Sequence, residues 1–481
     1  MNFKTTLVLL VALILVGAVV LFRGRPDDAP ASTAPRTLLA VQPQDVTAVT
    51  VTPASGQAMS LAKSTDGEWW LTQPVAAAAD KFAADDLVRA VTSLESTGQV
   101  DASPVTGLDQ PRYTIKLETA GKSPEVKVGQ RSSVGDNLYV RLDDGGKADL
   151  VAAALLDRLK KPANDYRQSR LAPVAMDAVQ QVSVTRDGQT VSLAKVNGQW
   201  SVVAPAAMPA DQPAVSSLLS SLTGLRAEEF VQEGADRAML GQPRLTIAYS
   251  TASPTTQPAA TQPLQTITVG RFSDIGRQGV LAIASGTDAV VRLPAASLAA
   301  FEKKPLDFRD KQVLSLDVSK VGAIDLSTVA IATTQPTTRP AVNRTVALTR
   351  RPVEAVAPAG PALPTTGPAN EPAATQPMSK WLAAGDRPAN DAAVDALLAA
   401  FSPLRAEKFI DTPPPPVAPP LATYVLTLTV PAAGESPGER HELRIVDLGN
   451  DAALIGSYNG LTFEFDRALL EVLSAELVPG Q

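Results

Sequence analysis

The sequence predicts an α+β protein made of three tandem repeats of an antiparallel β-meander module, each with two amphipathic helices, behind one N-terminal transmembrane helix. Three observations support this prediction: an uncharged apolar run near the N-terminus, sequence words that recur about 132 residues apart, and a helical apolar stripe after each recurrence. A chain of 481 residues also has room for roughly three domains that each bury a core.

The composition narrows the classes of function. The chain has no cysteine and one histidine, His441, so thiol catalysis, cysteine-ligated metals and sites with two histidines are excluded. The net charge of −6 and the absence of a long basic run argue against a nucleic-acid partner, which needs a clustered basic surface.

The apolar run extends from Thr5 to Phe22, 18 residues without a charge, which is just long enough to span a bilayer. An uncleaved anchor is favoured over a cleaved signal peptide because no small-residue cleavage site follows the run. The charges that flank it, Lys4 before and Arg23 and Arg25 after, are nearly balanced. We predict that residues 1–4 are cytoplasmic and that the bulk of the chain is extracytoplasmic.

The first recurrence is a set of short alternating segments that each predict a half-buried strand. Asp66-Gly67 and Asn197-Gly198 fall between strands and suit hairpin turns. Each set ends in a Gly-x-Trp word. The segments of the two copies are Val49–Thr52, Ser60–Lys63 and Gly67–Trp69, then Val182–Thr185, Ser192–Lys195 and Gly198–Trp200.

An amphipathic helix is predicted after each meander, with an aspartate (Asp85, Asp211 or Asp391) as an N-cap or first-turn acid. Two of these helices end in nearly identical words, Leu225–Val231 and Leu404–Ile410. The three apolar stripes are Leu87, Val91 and Leu94; Val215, Leu218, Leu219 and Leu222; and Val394, Leu397, Leu398 and Phe401.

The second half of each copy also recurs. Its partner strands are predicted to end in Val128-Gly129, Val269-Gly270 and Leu448-Gly449. The first two copies close with Asp165-Tyr166-Arg167 and Asp307-Phe308-Arg309, whereas the third lacks this word.

These patterns divide the chain into a cytoplasmic N-terminus, an anchor, a Pro/Ala/Ser-rich linker and three modules. Segments rich in Pro, Thr, Gln and Ala inside the modules are predicted to be disordered insertions, because they carry too little apolar surface to fold. A polyproline recognition site at Pro413–Pro416 is the less favoured alternative. The predicted boundaries are 1–4, 5–22, 23–44, 45–172, 173–312 and 313–481, and the insertions are 251–263, 332–342, 354–379 and 411–420.

Few residues suggest a site, and no catalytic, cofactor or metal site is predicted. Three tryptophans, Trp69, Trp200 and Trp381, recur at equivalent places and are interpreted as core residues, with sugar stacking as the alternative. His441 is interpreted as a surface histidine rather than a catalytic one.

The closing words supply the other candidate residues. Asp165 with Arg167, and Asp307 with Arg309, are interpreted as structural Asp–Arg pairs that clasp module ends. A recognition surface is the alternative interpretation of the same four residues.

Together, the anchor, the Gly-x-Trp strands, the Val-Gly words and the Asp-aromatic-Arg closing word resemble the domain-of-unknown-function 4340 family of bacterial envelope proteins. The matching words include Gly67–Trp69, Gly198–Trp200, Val128-Gly129, Val269-Gly270 and Asp307–Lys311. Members of that family are often encoded beside ABC transporters of the gliding-motility type. The resemblance therefore implies an accessory role outside the cytoplasm and transfers no catalytic residue.

The sequence thus leads to the expectation of a non-enzymatic, membrane-anchored scaffold at the outer face of a bacterial cytoplasmic membrane, with envelope proteins such as ABC-transporter subunits as partners. An extracytoplasmic module that binds a glycan or peptide is the first alternative. A hydrolase that uses paired carboxylates is the second.

Overall fold

The computed structural model describes residues 36–133, 135–143, 146–252, 264–330, 343–352, 379–411, 420–432, 437–449 and 453–480. The chain forms two compact units. The first contains the described residues up to Pro173 together with Leu225–Gly241 and Gly270–Pro294. The second contains Val174–Gly224, Gln242–Val269 and the residues from Ala295 onward.

The first sheet has nine strands in the order β5-β4-β3-β2-β8-β9-β10-β11-β7, and β1 pairs separately with β6. Two helices accompany it, α1 (Lys81–Thr92) and α2 (Leu155–Leu159). The strands are β1 (Arg36–Thr37), β2 (Val46–Pro53), β3 (Met59–Lys63), β4 (Trp69–Gln73), β5 (Ala77–Ala78), β6 (Glu95–Ser96), β7 (Gly98–Asp101), β8 (Tyr113–Thr119), β9 (Glu125–Arg131), β10 (Asn137–Leu142) and β11 (Lys147–Ala152).

The second sheet has the order β15-β14-β13-β12-β17-β18-β19-β20-β16. It is accompanied by the helix α3 (Gln212–Gly224) and a 3-10 helix over Ala295–Glu302. The strands are β12 (Gln181–Arg186), β13 (Gln189–Val196), β14 (Gln199–Ala204), β15 (Met208–Pro209), β16 (Glu229–Glu233), β17 (Leu245–Ser250), β18 (Gln265–Phe272), β19 (Gly279–Ala284) and β20 (Ala289–Pro294).

The third sheet has the order β25-β24-β23-β22-β28-β29-β30-β31-β27, and β21 pairs with β26. Its helices are α4 (Asp391–Phe401) and α5 (Leu469–Ser474). The strands are β21 (Gln312–Leu314), β22 (Ala323–Ala330), β23 (Asn343–Pro352), β24 (Ser379–Ala383), β25 (Arg387–Pro388), β26 (Leu404–Arg405), β27 (Lys408–Ile410), β28 (Ala422–Val430), β29 (Glu439–Asp447), β30 (Leu454–Tyr458) and β31 (Leu461–Phe465).

The three sheets therefore share one strand arrangement, and the described part of the chain is mostly β-sheet with few helices. The alternating segments form antiparallel pairs, such as Val49 opposite Leu61 in the first sheet and Val182 opposite Leu193 in the second. Since every second residue of such a strand faces the same side, this register buries one apolar face of each sheet.

The turn at Asn197-Gly198 has a backbone conformation that explains its two residue types. Val196 pairs with Gln199, so the loop has two residues, and both have positive φ, +51° and +82°. These are the backbone angles of a type I′ turn, whose twist matches that of the flanking strands.

The long helices bury the apolar stripes that the sequence predicts. The buried side chains of α3 are Val215, Leu218, Leu219 and Leu222, and those of α4 are Val394, Leu397, Leu398 and Phe401. In the first stripe Leu94 is also buried, although α1 ends at Thr92. The second helix of each copy is shorter and buries fewer side chains. In the second copy this helix is the 3-10 helix Ala295–Glu302 instead of an α-helix.

The caps follow the sequence prediction at two helices and depart from it at one. Asp211 accepts a hydrogen bond from the backbone N–H of Ala214, and Asp391 lies in the first turn of α4. The prediction for Asp85 was wrong, because Asp80 is the N-cap of α1 and accepts from Phe82 and Ala83. Asp85 lies one turn further along the helix, and its carboxylate accepts hydrogen bonds from Trp69 and Lys81.

The predicted anchor at 5–22 and most of each predicted insertion lie outside the described residues. No helix within the described residues has the length and apolarity needed to cross a membrane. Part of the predicted linker 23–44 is described: β1 pairs with β6, and Leu39 is 3% exposed. Ser379, the last residue of one predicted insertion, begins β24 and pairs with Pro352.

Candidate functional site

The three recurring tryptophans are buried. Trp69, Trp200 and Trp381 are 2%, 8% and 4% exposed and lie on β4, β14 and β24. A sugar that stacks on an aromatic ring needs an open ring face, which these side chains do not present. The fourth tryptophan, Trp70, follows Trp69 on β4, so its side chain lies on the opposite face of the sheet, and it is 45% exposed.

Trp69 is tied to α1 by a polar contact. Its indole Nε1–H donates to Asp85 Oδ1 at 2.8 Å, and Lys81 Nζ lies 2.8 Å from Asp85 Oδ2. Burial acts to raise the pKa of Asp85, but the hydrogen bonds from Lys81 and Trp69 outweigh it and lower the pKa below the usual 3.8.

We expect this contact to make the protein acid-sensitive. A carboxyl whose pKa is lowered on folding adds stability above its unfolded pKa and loses that contribution as the pH falls through the folded pKa. The urea midpoint of Asp85→Asn, followed by circular dichroism, should therefore fall less between pH 5 and pH 2 than that of the unaltered protein. Asp157→Asn, an exposed control, should follow the unaltered protein, and equal slopes for all three would contradict the assignment.

The closing words bond to the sheets that precede them. Asp80 N–H donates to Tyr166 O and Asp211 N–H donates to Phe308 O, both at 2.8 Å. Arg167 forms an antiparallel bridge with Ala79, as Arg309 does with Ala210. In the third sheet Asn390 N–H donates to Leu477 O at 2.8 Å, so Leu477 occupies the place of the missing aromatic.

Arg167 pairs with Glu233 and not with Asp165. The guanidinium Nη1 and Nη2 lie 2.6 and 3.2 Å from the two oxygens of Glu233, which is bidentate geometry. It also stacks on Phe230, with its carbon 3.8 Å from the ring centroid. The predicted Asp–Arg pair was thus wrong in its partner, since the acid comes from β16.

A β-bulge in β16 makes this arrangement possible. The register against β20 shifts between Phe230 and Gln232. Residues three apart on a regular strand face opposite sides, and one extra residue restores Phe230 and Glu233 to the same side.

A cavity of about 370 Å³ lies at this pair, and we call it the Arg167 pocket. Apart from Arg167, the charged residues that line it are all acidic. Its lining residues are Asp80, Asn164, Asp165, Arg167, Ser169, Ala227, Glu228, Glu229 and Phe230.

A second cavity of about 370 Å³, the Arg309 pocket, is built from the equivalent words of the next sheet. Arg309 lies over Phe409 at 5.2 Å from the ring centroid, and its Nη1 lies 4.0 Å from Met208 Sδ. The lining residues are Lys303, Leu306, Asp307, Arg309, Lys311, Glu407, Lys408 and Phe409.

The charge of the two pockets is opposite. Glu229 in the Arg167 pocket corresponds to Lys408 in the Arg309 pocket, and Ser169 corresponds to Lys311. Asp307 does not face Arg309 as an ion-pair partner: its carboxylate accepts from the backbone N–H of Lys304 at 2.8 Å.

The repeated Leu-Arg-Ala-Glu words hold the segment that follows each closing word. Ala227 N–H donates to Ser169 O at 2.7 Å, and Ala406 N–H donates to Lys311 O at 2.8 Å. The phenylalanine in each word is the residue on which the arginine lies. In the sequence these words are visible only as a repeat, and no residue in them indicates a contact with Arg167 or Arg309.

His441 has two polar partners. Its Nδ1 lies 2.7 Å from the Tyr458 hydroxyl and its Nε2 lies 3.1 Å from Glu439 Oε2. This order of carboxylate, imidazole and hydroxyl resembles that of a nucleophilic triad. Burial, however, raises the pKa of Tyr458, which opposes formation of a phenolate nucleophile.

The described part of the chain contains no group of three or more His, Asp or Glu side chains placed to hold a metal ion.

The chain matches the model of one protein family in two stretches, residues 69–201 and 200–419. The family is described as "Domain of unknown function (DUF4340)", and the stretches open at Trp69 and Trp200, the repeated tryptophans. Because they cover more than half of the sequence, the chain belongs to this family, as its sequence words predict. It matches no curated protein and no solved structure.

Proposed function

We propose that the protein is a non-enzymatic, membrane-anchored scaffold outside the cytoplasm of a bacterium, and an accessory component of an envelope or ABC-transporter complex. The observation that carries this proposal is the recurrence of one strand order in three successive sheets. Several copies of one module on a single chain can engage a partner at several points at once, which raises the overall affinity.

The proposal divides the chain into three tandem modules, 45–172, 173–312 and 313–481. The shared strand order supports this division, as do the equivalent hydrogen bonds from Asp80, Asp211 and Asn390. Most of the features that the sequence singles out recur in at least two copies and serve the fold. A single active site would instead be expected to depart from the repeat.

The proposed location rests on the uncharged run Thr5–Phe22, which has the length of a bilayer-spanning helix. The proposed transporter partner rests on the family resemblance and on the modular architecture.

Affinity capture tests the proposal. The full-length chain is expressed in its native host with a C-terminal tag, cross-linked in intact cells and purified from solubilised membranes. We expect transporter or envelope subunits to be enriched relative to a matched variant that lacks residues 5–22. A chain that fractionates without membranes, or that recovers no such subunit in replicate experiments, would count against the scaffold.

A ligand-binding role is the second candidate function. The observation that favours it is the pair of equivalent cavities, each of about 370 Å³, with an arginine placed over a phenylalanine. The volume suits a side chain or a small ligand.

A further inference from the structure

We propose that the Arg309 pocket binds a carboxylate on an acidic peptide segment of a partner protein. The inference rests on the proposed scaffold function and specifies the chemistry by which one partner is recognised.

The Arg167 pocket shows what such an arginine binds. There the guanidinium lies on an aromatic ring and takes both oxygens of a carboxylate, Glu233, at 2.6 and 3.2 Å. Planar, bidentate recognition of a carboxylate is the interaction to which the guanidinium is best suited.

The Arg309 pocket retains the arginine and the phenylalanine, but the residue three after the phenylalanine is Thr412 in place of Glu233. β27 pairs with β31 in continuous register from Lys408 to Ile410, without the bulge that positions Glu233. Among the described residues, neither Arg309, Lys311 nor Lys408 has an ion pair. Asp411, two residues after Phe409, forms no ion pair with Arg309 in the described structure, and the sequence Thr412–Leu421 contains no Asp or Glu.

The surrounding charges favour an anion. Four of the eight lining residues are cationic, Lys303, Arg309, Lys311 and Lys408, and two are acidic. One acid, Asp307, already accepts a backbone hydrogen bond. The whole chain has a net charge of −6, so the attraction for an anion is local to this pocket.

The strand at the pocket favours a peptide over a free small anion. Glu407, Lys408 and Phe409 line the cavity, and β27 is the last strand in the order of its sheet. An extended segment lying along such a strand can place a Glu or Asp side chain on Arg309 while its backbone contacts the strand.

Fluorescence anisotropy tests this with full-length protein in a non-ionic detergent and a fluorescein-labelled hexaglutamate peptide. We expect binding that weakens with salt, and hexaglutamine should not bind. Arg309→Gln and Lys408→Gln should each weaken binding by about tenfold, the loss expected for one charged contact. Glu407→Gln should tighten it, and a gain of affinity is not produced by misfolding.

Two matched variants control for general effects. Lys160→Gln and Arg89→Gln make the same charge changes at exposed positions in the first unit. Both should bind the peptide like the unaltered protein. Equal loss in these controls, or unchanged binding by Arg309→Gln, would overturn the proposal. Displacement of the peptide by phosphate at lower concentration than by succinate would also overturn it, in favour of a phosphate site.

This measurement needs no membrane partner. Failure of peptide binding therefore leaves the affinity-capture result intact, and failure of capture leaves the pocket chemistry intact.

Discussion

Replacing Gly270 by alanine is expected to destabilise the second sheet by about 3 kcal/mol, the upper part of the range for overpacking. A Cβ at this position would lie 2.3 Å from the carbonyl oxygen and 2.6 Å from the Cα of Leu240. Since these are backbone atoms of a 3-10 helix over Arg237–Leu240, no side-chain rotation relieves the clash. Hydrogen exchange in peptides that cover 265–294 should show the loss as faster local opening.

Gly224→Ala is the matched control. A Cβ there would meet no atom outside its own helix within 4 Å, and the residue ends α3. Helix propensity predicts a neutral effect or a gain of up to about 1 kcal/mol. If both variants exchange alike, the close approach at Gly270 is not the reason for the glycine.

Replacing Glu233 by alanine is expected to cost about 2 kcal/mol in the first unit, because a buried guanidinium loses the carboxylate that it binds through both nitrogens. Arg167 is 3% exposed, and its Nε has no hydrogen-bond partner in the described structure, so Glu233 supplies the main compensation. Glu233 itself is 48% exposed, which keeps the cost below that of a fully buried pair. Peptides covering 163–171 and 225–233 should lose protection together.

Glu118→Ala provides the comparison. Glu118 lies 3.7 Å from Lys116 with both side chains about half exposed, and such a pair contributes less than about 1 kcal/mol. An equal effect of the two substitutions would show that burial of Arg167 is not what makes its pair strong.

The strands and helices were predictable because they depend on local patterns. Alternating residues mark β2, β3, β12 and β13, and the spacing of Val215, Leu218 and Leu222 marks α3. The sequence shows that the Val-Gly pair recurs, but it does not show which atoms approach the glycine. Gly129, like Gly270, admits a carbonyl oxygen, that of Thr106 at 2.1 Å from a Cβ built there.

The third member of that set, Gly449, serves a different purpose. It follows β29 with φ of +77°, so it permits a turn, and the atoms that a Cβ there would meet belong to the Leu421 side chain rather than to a carbonyl group. Short words can therefore align by spacing while their physical roles differ.

The pockets were not predictable from the sequence, because their parts are far apart in it. Arg167 and Glu233 are separated by 66 residues. Their pairing depends on a β-bulge in β16, and no residue in that strand is characteristic of a bulge. The sequence alone therefore favours the nearest acid, Asp165, as the partner. Long-range ion pairs are decided by tertiary packing, which one sequence read alone does not reveal.

The backbone bonds of the closing words bear on the order in which the chain folds. The closing word of the first copy bonds back to the segment before α1, as in the contact between Asp80 and Tyr166, and the corresponding contact of the second copy joins Asp211 and Phe308. Each sheet thus has all of its strands once a ribosome has passed its own closing word, before most of the following strands exist. Synthesis from the N-terminus then lets one sheet finish at a time, which limits the interval in which unpaired strand edges can meet the wrong copy.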